Sequence, residues 1–337
     1  MLSVDDLRVE FTTPRGIAQV VNGAGLTLDA GELHGLVGES GSGKSVTART
    51  VLGLLPQRRI HSLTGSVRYK GRELLGLSEK QWRKGLRGKE ISMVFQDPMT
   101  ALAPSMHIGD QVMMPVRQHE VISRSEARAR MLDLLQQVGI PDPVKRSKSY
   151  PTELSGGQRQ RVMIATALAC DPALLIADEP TTALDVTVQA QILDLFDALR
   201  EERGLAILLV SHDLKLIAER CDEVSVMYAG SIVERGDAKR IFKEPQHPYT
   251  RLLEGAMPRL EDPPHTRLKT IVGQVVDLHR LPTGCAFAGR CPDAQDDCLA
   301  ARPTLSDQGT GHPVACFHSR GPHGADQKNL HGVGSGT

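Results

Sequence analysis

Over the first two thirds of the chain, short apolar runs alternate with segments of helical periodicity. Leu33 to Val37, Ile91 to Phe95, Ala173 to Ala177 and Ala206 to Val210 are largely apolar and lack the alternation of a strand with one wet face. They predict strands buried on both sides. Strands that alternate with helices predict a mostly parallel sheet with helices on its faces, hence an α/β fold. Each run ends in polar or glycine residues, and in open parallel sheets ligands sit beyond the carboxyl ends of the strands. Gly38 onward, Gln96, Asp178 with Glu179, and Ser211 with His212 are therefore candidates for one shared site.

Between Gln96 and Leu154 the alternation stops. Ala127, Met131, Leu134, Leu135 and Val138 recur at helical spacing until Gly139 and Pro141 end the pattern, which predicts a helical insert at about 97–160. After Gly236 the residues shift toward Pro, His and Cys with weak periodicity. The expected organisation is a main domain over 1–260, a small irregular cysteine-containing extension over 261–320, and a disordered tail over 321–337. No repeat and no long heptad run is visible.

Composition narrows the partners. Lys plus Arg and Asp plus Glu are each 40 in 337 residues, so no global basic field draws the chain to nucleic acid or an anionic membrane. No apolar run approaches the ~18 residues of a membrane span. The acidic start Met1-Leu2-Ser3-Val4-Asp5-Asp6 does not resemble a secretory signal, and a cytosolic setting is expected. Four of the six cysteines, Cys285, Cys291, Cys298 and Cys316, crowd into one stretch near the C-terminus.

The chemistry begins at Gly38-Glu39-Ser40-Gly41-Ser42-Gly43-Lys44-Ser45-Val46, a phosphate-binding loop between a predicted strand and a helical run. Its glycines let backbone amides close around phosphate oxygens, and the helix N-terminus adds positive dipole. Lys44 reaches the outer phosphates and the Ser45 hydroxyl can ligate magnesium. The run Ala173 to Ala177 ends in Asp178 and Glu179. One carboxylate can hold magnesium through water and the next can polarise an attacking water, which suits Asp178 and Glu179 respectively. Leu154-Ser155-Gly156-Gly157-Gln158 opens another helical run. Ser155 and Gln158 are spaced as a capping box, and the bare glycines leave amides open to a phosphate.

Lys44, Gln96, Ser155 to Gln158, Asp178 with Glu179, Ala183-Leu184-Asp185 and His212, in that order, resemble the ATP-binding cassette family from about Leu2 to Leu260. The resemblance implies a P-loop NTPase with two cassettes meeting head to tail. ATP then lies between the Lys44 loop of one and the Ser155–Gln158 signature of the other. It implies that Gln96 senses phosphate and magnesium beside a membrane partner, that Asp185 links the two halves, and that His212 holds the γ-phosphate and orients Glu179. Magnesium ligands on this basis are Ser45, Gln96 and Asp178. Where the family carries an aromatic that stacks on adenine, this chain has Arg15, whose guanidinium plane can stack on a base.

Gln96-Asp97-Pro98-Met99-Thr100-Ala101-Leu102 and Pro245-Gln246-His247-Pro248-Tyr249-Thr250-Arg251-Leu252-Leu253 are similar to the dipeptide, oligopeptide and nickel importer branch. Read physically, His247-Pro248-Tyr249 is a turn entering a helix. The branch implies two membrane permeases, a second homologous ATPase chain and an extracytoplasmic peptide-binding protein, with this chain peripheral on the cytoplasmic face of the membrane. Nickel or another small solute is an alternative cargo. Cassette ATPases acting on ribosomes or DNA are a further alternative, which the absence of a basic face and of a coiled-coil insert disfavours, so no nucleic-acid partner is expected.

The spacing of Cys285, Cys291, Cys298 and Cys316 matches neither zinc-finger pairs nor a ferredoxin run. Disulfides are disfavoured in the cytosol, which leaves free thiols, zinc held by the thiolates with or without His312 or His318, or an iron–sulfur cluster. Pro282-Thr283-Gly284-Cys285 and Gly289-Arg290-Cys291-Pro292 resemble the C-terminal segment of peptide-importer ATPases, which implies a [4Fe–4S] cluster that staples the extension, with Arg290 offsetting its charge. Cys170 and Cys221 read as buried core thiols.

Overall fold

Backbone pairing divides the chain between two sheets that share one interior. The computed structural model describes residues 1–181, 185–257, 270–307, 309 and 311–319. Ten strands are present among them: β1 (Leu2–Thr13), β2 (Gly16–Leu28), β3 (Leu33–Val37), β4 (Ile60–Tyr69), β5 (Arg72–Glu73), β6 (Ile91–Val94), β7 (Leu174–Asp178), β8 (Ala206–Ser211), β9 (Glu223–Tyr228) and β10 (Ser231–Asp237). The main sheet has the order β10-β9-β3-β8-β7-β6 and is parallel except for β10, which returns antiparallel on β9. Every residue of β3, β6, β7 and β8 is buried. The expected strand Ile91–Phe95 stops at Val94, and Phe95 turns outward, 38% exposed.

Side chains of a strand alternate between faces, and here the two faces serve two cores. Leu175, Ala177, Ile207 and Leu209 pack with Ile164 and Phe196 of the helices Gly156–Leu168 and Val186–Arg203. Leu174, Ile176, Leu208 and Val210 pack against Leu7, Val9 and Leu26 of an antiparallel sheet with the order β2-β1-β4-β5. Sequence pattern alone does not reveal this second sheet. In β1 the buried positions run Leu2, Val4 and then Leu7, Val9, because the register shifts between Val4 and Leu7, where Asp6 adopts φ 45°. A bulge of this kind breaks the period-two signal by one residue.

Between β6 and β7 lie the helices Pro98–Ala101, Ile108–His119, Arg124–Gln137, Pro143–Arg146 and Gly156–Leu168. No helix among the described residues is long and apolar enough to cross a membrane. Cys170 and Cys221 are each 6% exposed, and burial raises both thiols, Cys170 to about 11. The tail expected to be disordered, 321–337, lies outside the described residues, as do Ala183 and Leu184.

The C-terminal extension is sewn onto the free edge of β10. The Arg235 amide donates to Pro313 O at 3.0 Å and the Ala315 amide to Val233 O at 2.8 Å, which covers an edge that would otherwise present unpaired backbone. At the same place Glu234, fully buried, accepts from the amides of Gln246 (2.7 Å) and His247 (3.1 Å) and lies 2.7 Å from His312 Nε2. Removing one partner of a buried pair leaves an uncompensated charge. His312→Ala should therefore cost about 3 kcal/mol of stability, read as a fall in the urea midpoint. Arg15→Ala, which breaks the exposed ion pair to Asp277, should cost less than about 1 kcal/mol.

Candidate active site

The register of the main sheet levels the carboxyl ends of its strands, with Val37 opposite Ser211, Asp178 opposite Val210 and Val94 opposite Ala177. The loops that follow β3, β6, β7 and β8 consequently open onto one edge. The Gly38–Ser45 loop is wedged into backbone there. A Cβ on Gly38 (φ 151°) would stand 2.1 Å from Met227 O, and one on Gly43 (φ 107°) would stand 2.6 Å from Val20 O. The Gly230 amide donates to Ser42 O at 2.8 Å from the β9–β10 turn. Ser40 and Gly41 face solvent, and Val46 is partly buried in the first turn of the helix Lys44–Val51.

Lys44 Nζ donates to Gly38 O (2.7 Å) and Glu39 O (3.0 Å) with the side chain buried. Burial lowers its pKa, and the carboxylates of Glu179, Asp178 and Glu39 oppose that shift. The ammonium thus occupies carbonyl oxygens of its own loop, within reach of a phosphate that would replace them. Ser45 Oγ donates to Asp178 Oδ1 at 2.8 Å. Asp178 Oδ2 is buried without a hydrogen bond, with Arg49 Nη2 at 3.9 Å, and burial raises the Asp178 carboxyl above its ordinary value. A hydroxyl beside a buried carboxylate with an unfilled oxygen fits a divalent cation.

Glu179 follows directly, in a left-handed conformation (φ 49°) that a non-glycine residue rarely adopts. Its amide donates to Val210 O at 2.9 Å, which fixes the turn against β8. One oxygen, Glu179 Oε2, receives Gln96 Nε2 at 2.9 Å and lies 3.3 Å from His212 Nδ1. Three residues from three strand ends, expected to share one site, meet on that atom.

Ser155 caps the helix Gly156–Leu168 in a full capping box with Gln158, and Ser155 and Gly156 are exposed. Among the described residues no hydrogen bond of Ser155, Gly156, Gly157 or Gln158 reaches the Lys44 loop. The Ser155 and Gln158 amides donate within the capping box itself, each at 3.3 Å. Asp185 caps the helix Val186–Arg203, accepting from the Val188 amide at 2.9 Å. Arg15 is 74% exposed and pairs with Asp277 at 3.2 Å, so its guanidinium is anchored by the C-terminal extension.

Two residues were missed as parts of this edge. Tyr249 accepts the Glu39 amide on its hydroxyl at 2.8 Å, and Arg290 forms a two-point ion pair with the Glu39 carboxylate. Arg290 therefore pairs with the one acid of the phosphate loop, where the sequence suggested a partner for Cys291. Only their places in motifs whose chemistry was unassigned could have marked them.

Cys285, Cys291, Cys298 and Cys316 all line one small pocket, together with His318. Burial raises all four thiols, Cys316 to about 11, where the other three thiols add to the effect. A cation would reverse that penalty, since it binds thiolates. Among the described residues, the group of ligand atoms here that falls within 4.8 Å joins Cys298 to Asp297 and His318, and no such group consists of the thiols alone. Four thiolates around one zinc at ~2.3 Å would stand only ~3.8 Å apart. Four thiols around one pocket are a donor set of the kind that holds zinc or an iron–sulfur cluster. His312, offered above as a zinc ligand, is instead committed to Glu234 and Gln246.

The shared edge supplies amides and one ammonium for phosphate, a hydroxyl–carboxylate pair for a divalent cation, and a carboxylate steadied to direct water. That is the chemistry of a P-loop nucleoside triphosphatase. Residues 21–182 match the family described as "ABC transporter", and residues 233–298 match "Oligopeptide/dipeptide transporter, C-terminal region". The dipeptide transport ATP-binding protein DppD of Bacillus subtilis (strain 168) is 46% identical over 336 residues, covering 100% of this chain and 98% of its own. The oligopeptide transport ATP-binding protein OppD of Escherichia coli (strain K12) is 50% identical over 317 residues, 94% and 93% of the two chains. A solved dimeric, post-hydrolysis ATP-binding cassette bound to ADP and Pi shares the fold at TM-score 0.64 and 27% identity, covering 71% of this chain and 99% of that one. The chain belongs to the ATP-binding cassette transporter family, and it is an ATPase.

The crowding at the loop predicts an order of tolerance. Gly38→Ala meets backbone at 2.1 Å and should destabilise the fold by more than about 3 kcal/mol. Gly41→Ala (φ 79°) has open space and should cost only about 1–2 kcal/mol of strain. Thermal unfolding of the two variants checks the ranking.

Proposed function

We propose that the chain is the ATP-hydrolysing subunit of an importer of di- or oligopeptides. It would work with a second homologous cassette, two membrane permeases and an extracytoplasmic peptide-binding protein, on the cytoplasmic face of the membrane. The observation that carries this reading is that the likeness to peptide-transport subunits runs past the cassette and through the C-terminal region. In this reading 1–260 is the nucleotide cassette with its helical insert at 97–160, and 261–320 is the importer-type extension.

Backbone amides of Gly38 to Ser45, with Lys44, bind the β- and γ-phosphates, and Val46 continues the helix start behind them. Arg15 faces the base. Ser45, Asp178 and Gln96 would hold magnesium, which supplies charge neutralisation at the phosphates. Glu179 orients the attacking water, and His212 and Gln96 hold its carboxylate while sensing the γ-phosphate. Ser155, Gly156, Gly157 and Gln158 complete the partner cassette's site, and Asp185 joins the two halves. Beside Gln96 a groove of about 660 Å³, lined by Phe95, Met106, Met114 and Met163, suits a cytoplasmic segment of a permease. Met114 is 52% exposed there, and apolar exposure of this kind marks an interface.

Lys44→Ala should lose nucleotide binding. Glu179→Gln should keep ATP binding, trap a closed dimer and lower kcat by about 10²–10⁴-fold, and in cells it should abolish uptake of a labelled dipeptide. Tagged chain purified from its native membrane should bring permeases with it, and Met114→Glu should not. Normal turnover by Glu179→Gln, or co-purification with ribosomes or DNA in place of permeases, would overturn the reading.

Cys285, Cys291, Cys298 and Cys316 would hold a [4Fe–4S] cluster, which supplies a covalent staple to a segment too small for a core of its own. Chain purified without oxygen should carry about four irons and four sulfides and absorb in the visible, and Cys298→Ser should lower its unfolding temperature. Stoichiometric zinc in colourless protein would exclude the cluster.

A further inference from the structure

Two segments that the nucleotide chemistry leaves unused converge behind the phosphate loop. Tyr249, fully buried against Tyr228 and Phe287 at ring-centroid distances of 4.8 and 5.4 Å, takes the Glu39 amide on its hydroxyl. Arg290 meets the carboxylate of the same residue with both arms of its guanidinium, Nη1 to Oε2 at 2.7 Å and Nη2 to Oε1 at 3.0 Å. Its remaining donors reach Ile271 O and Val272 O, each at 3.3 Å, and the Tyr228 hydroxyl at 3.5 Å. The Arg290 side chain is 6% exposed and Glu39 23%, so the pair is poorly screened.

Glu39 is a liability in a loop that receives a polyanion. Its carboxylate would repel phosphate and compete for Lys44, on which its field already acts. A two-point guanidinium cancels that charge and fixes its direction. We propose that Arg290 is a positioning residue of the nucleotide site, which neutralises and orients Glu39 so that the phosphate loop is preset for a triphosphate. ATP affinity thereby depends on the cysteine-bearing C-terminal segment. The inference rests on the reading that this loop binds ATP.

The test is ATP titration of the full chain by calorimetry, beside thermal unfolding without nucleotide. Arg290→Ala should weaken ATP binding by about tenfold at temperatures where the variant is fully folded. Arg290→Lys, which keeps the charge and gives up the fork, should recover part of that loss. In a Glu39→Gln background either substitution should change affinity by about twofold or less, because the charge that Arg290 cancels is gone. Unchanged ATP affinity in folded Arg290→Ala, whatever its unfolding temperature, would overturn the inference. An equal loss with and without Glu39→Gln would do the same. Should Arg290→Ala fail to fold, Arg290→Lys measured in both backgrounds decides by the same criterion. Wild-type chain that binds no ATP would instead overturn the ATPase reading on which the inference stands.

Discussion

Backbone crowding around one loop is the constraint on which the rest of the structure depends. Gly38 lies so close to Met227 O, and Gly43 so close to Val20 O, that neither position has room for a side chain. The amides that must face a phosphate are therefore held by the end of β9, by β2 and by the β9–β10 turn, not by the loop's own stiffness. In this chain both sheets contribute to that crowding, the parallel one through Met227 and the antiparallel one through Val20. The antiparallel sheet, which contributes no candidate catalytic residue, earns its place by supplying Val20.

The parallel sheet supplies the second condition, a common level for its carboxyl ends. Its strands are buried on both faces and split their side chains between two cores, so a slip of one residue would move apolar groups to the wrong core throughout. Register is thus strongly specified, and Ser45 meets Asp178 while Gln96 and His212 meet on Glu179 as a result. The left-handed backbone at Glu179 is tolerated because its amide is tied to β8.

The C-terminal extension is more than a terminal decoration of this cassette. It pairs along β10, buries Glu234 against His312, and anchors Arg15 through Asp277. It also reaches the phosphate loop itself through Arg290. A segment with few apolar residues gains its order from the sheet edge and the aromatic cluster of Tyr228, Tyr249 and Phe287. The cysteines of the same segment gather in one pocket beside that cluster.

The sequence by itself determined four strands of the main sheet, β3, β6, β7 and β8, and the order of its motifs, because doubly buried strands leave uninterrupted apolar runs and because phosphate chemistry demands glycines, a lysine and carboxylates at strand ends. Lys44, Ser45, Asp178, Glu179, Gln96 and His212 were legible for that reason, as was the capping box at Ser155. The antiparallel sheet was not, since the bulge at Asp6 shifts the alternation that would have marked β1. Only the tertiary structure decided that His312 serves Glu234, that Tyr249 takes the Glu39 amide, and that Arg290 pairs with a residue 251 positions earlier. Local periodicity records which face of an element is buried. It carries no record of which distant side chain will complete a charge, because that is settled by packing after the elements have formed.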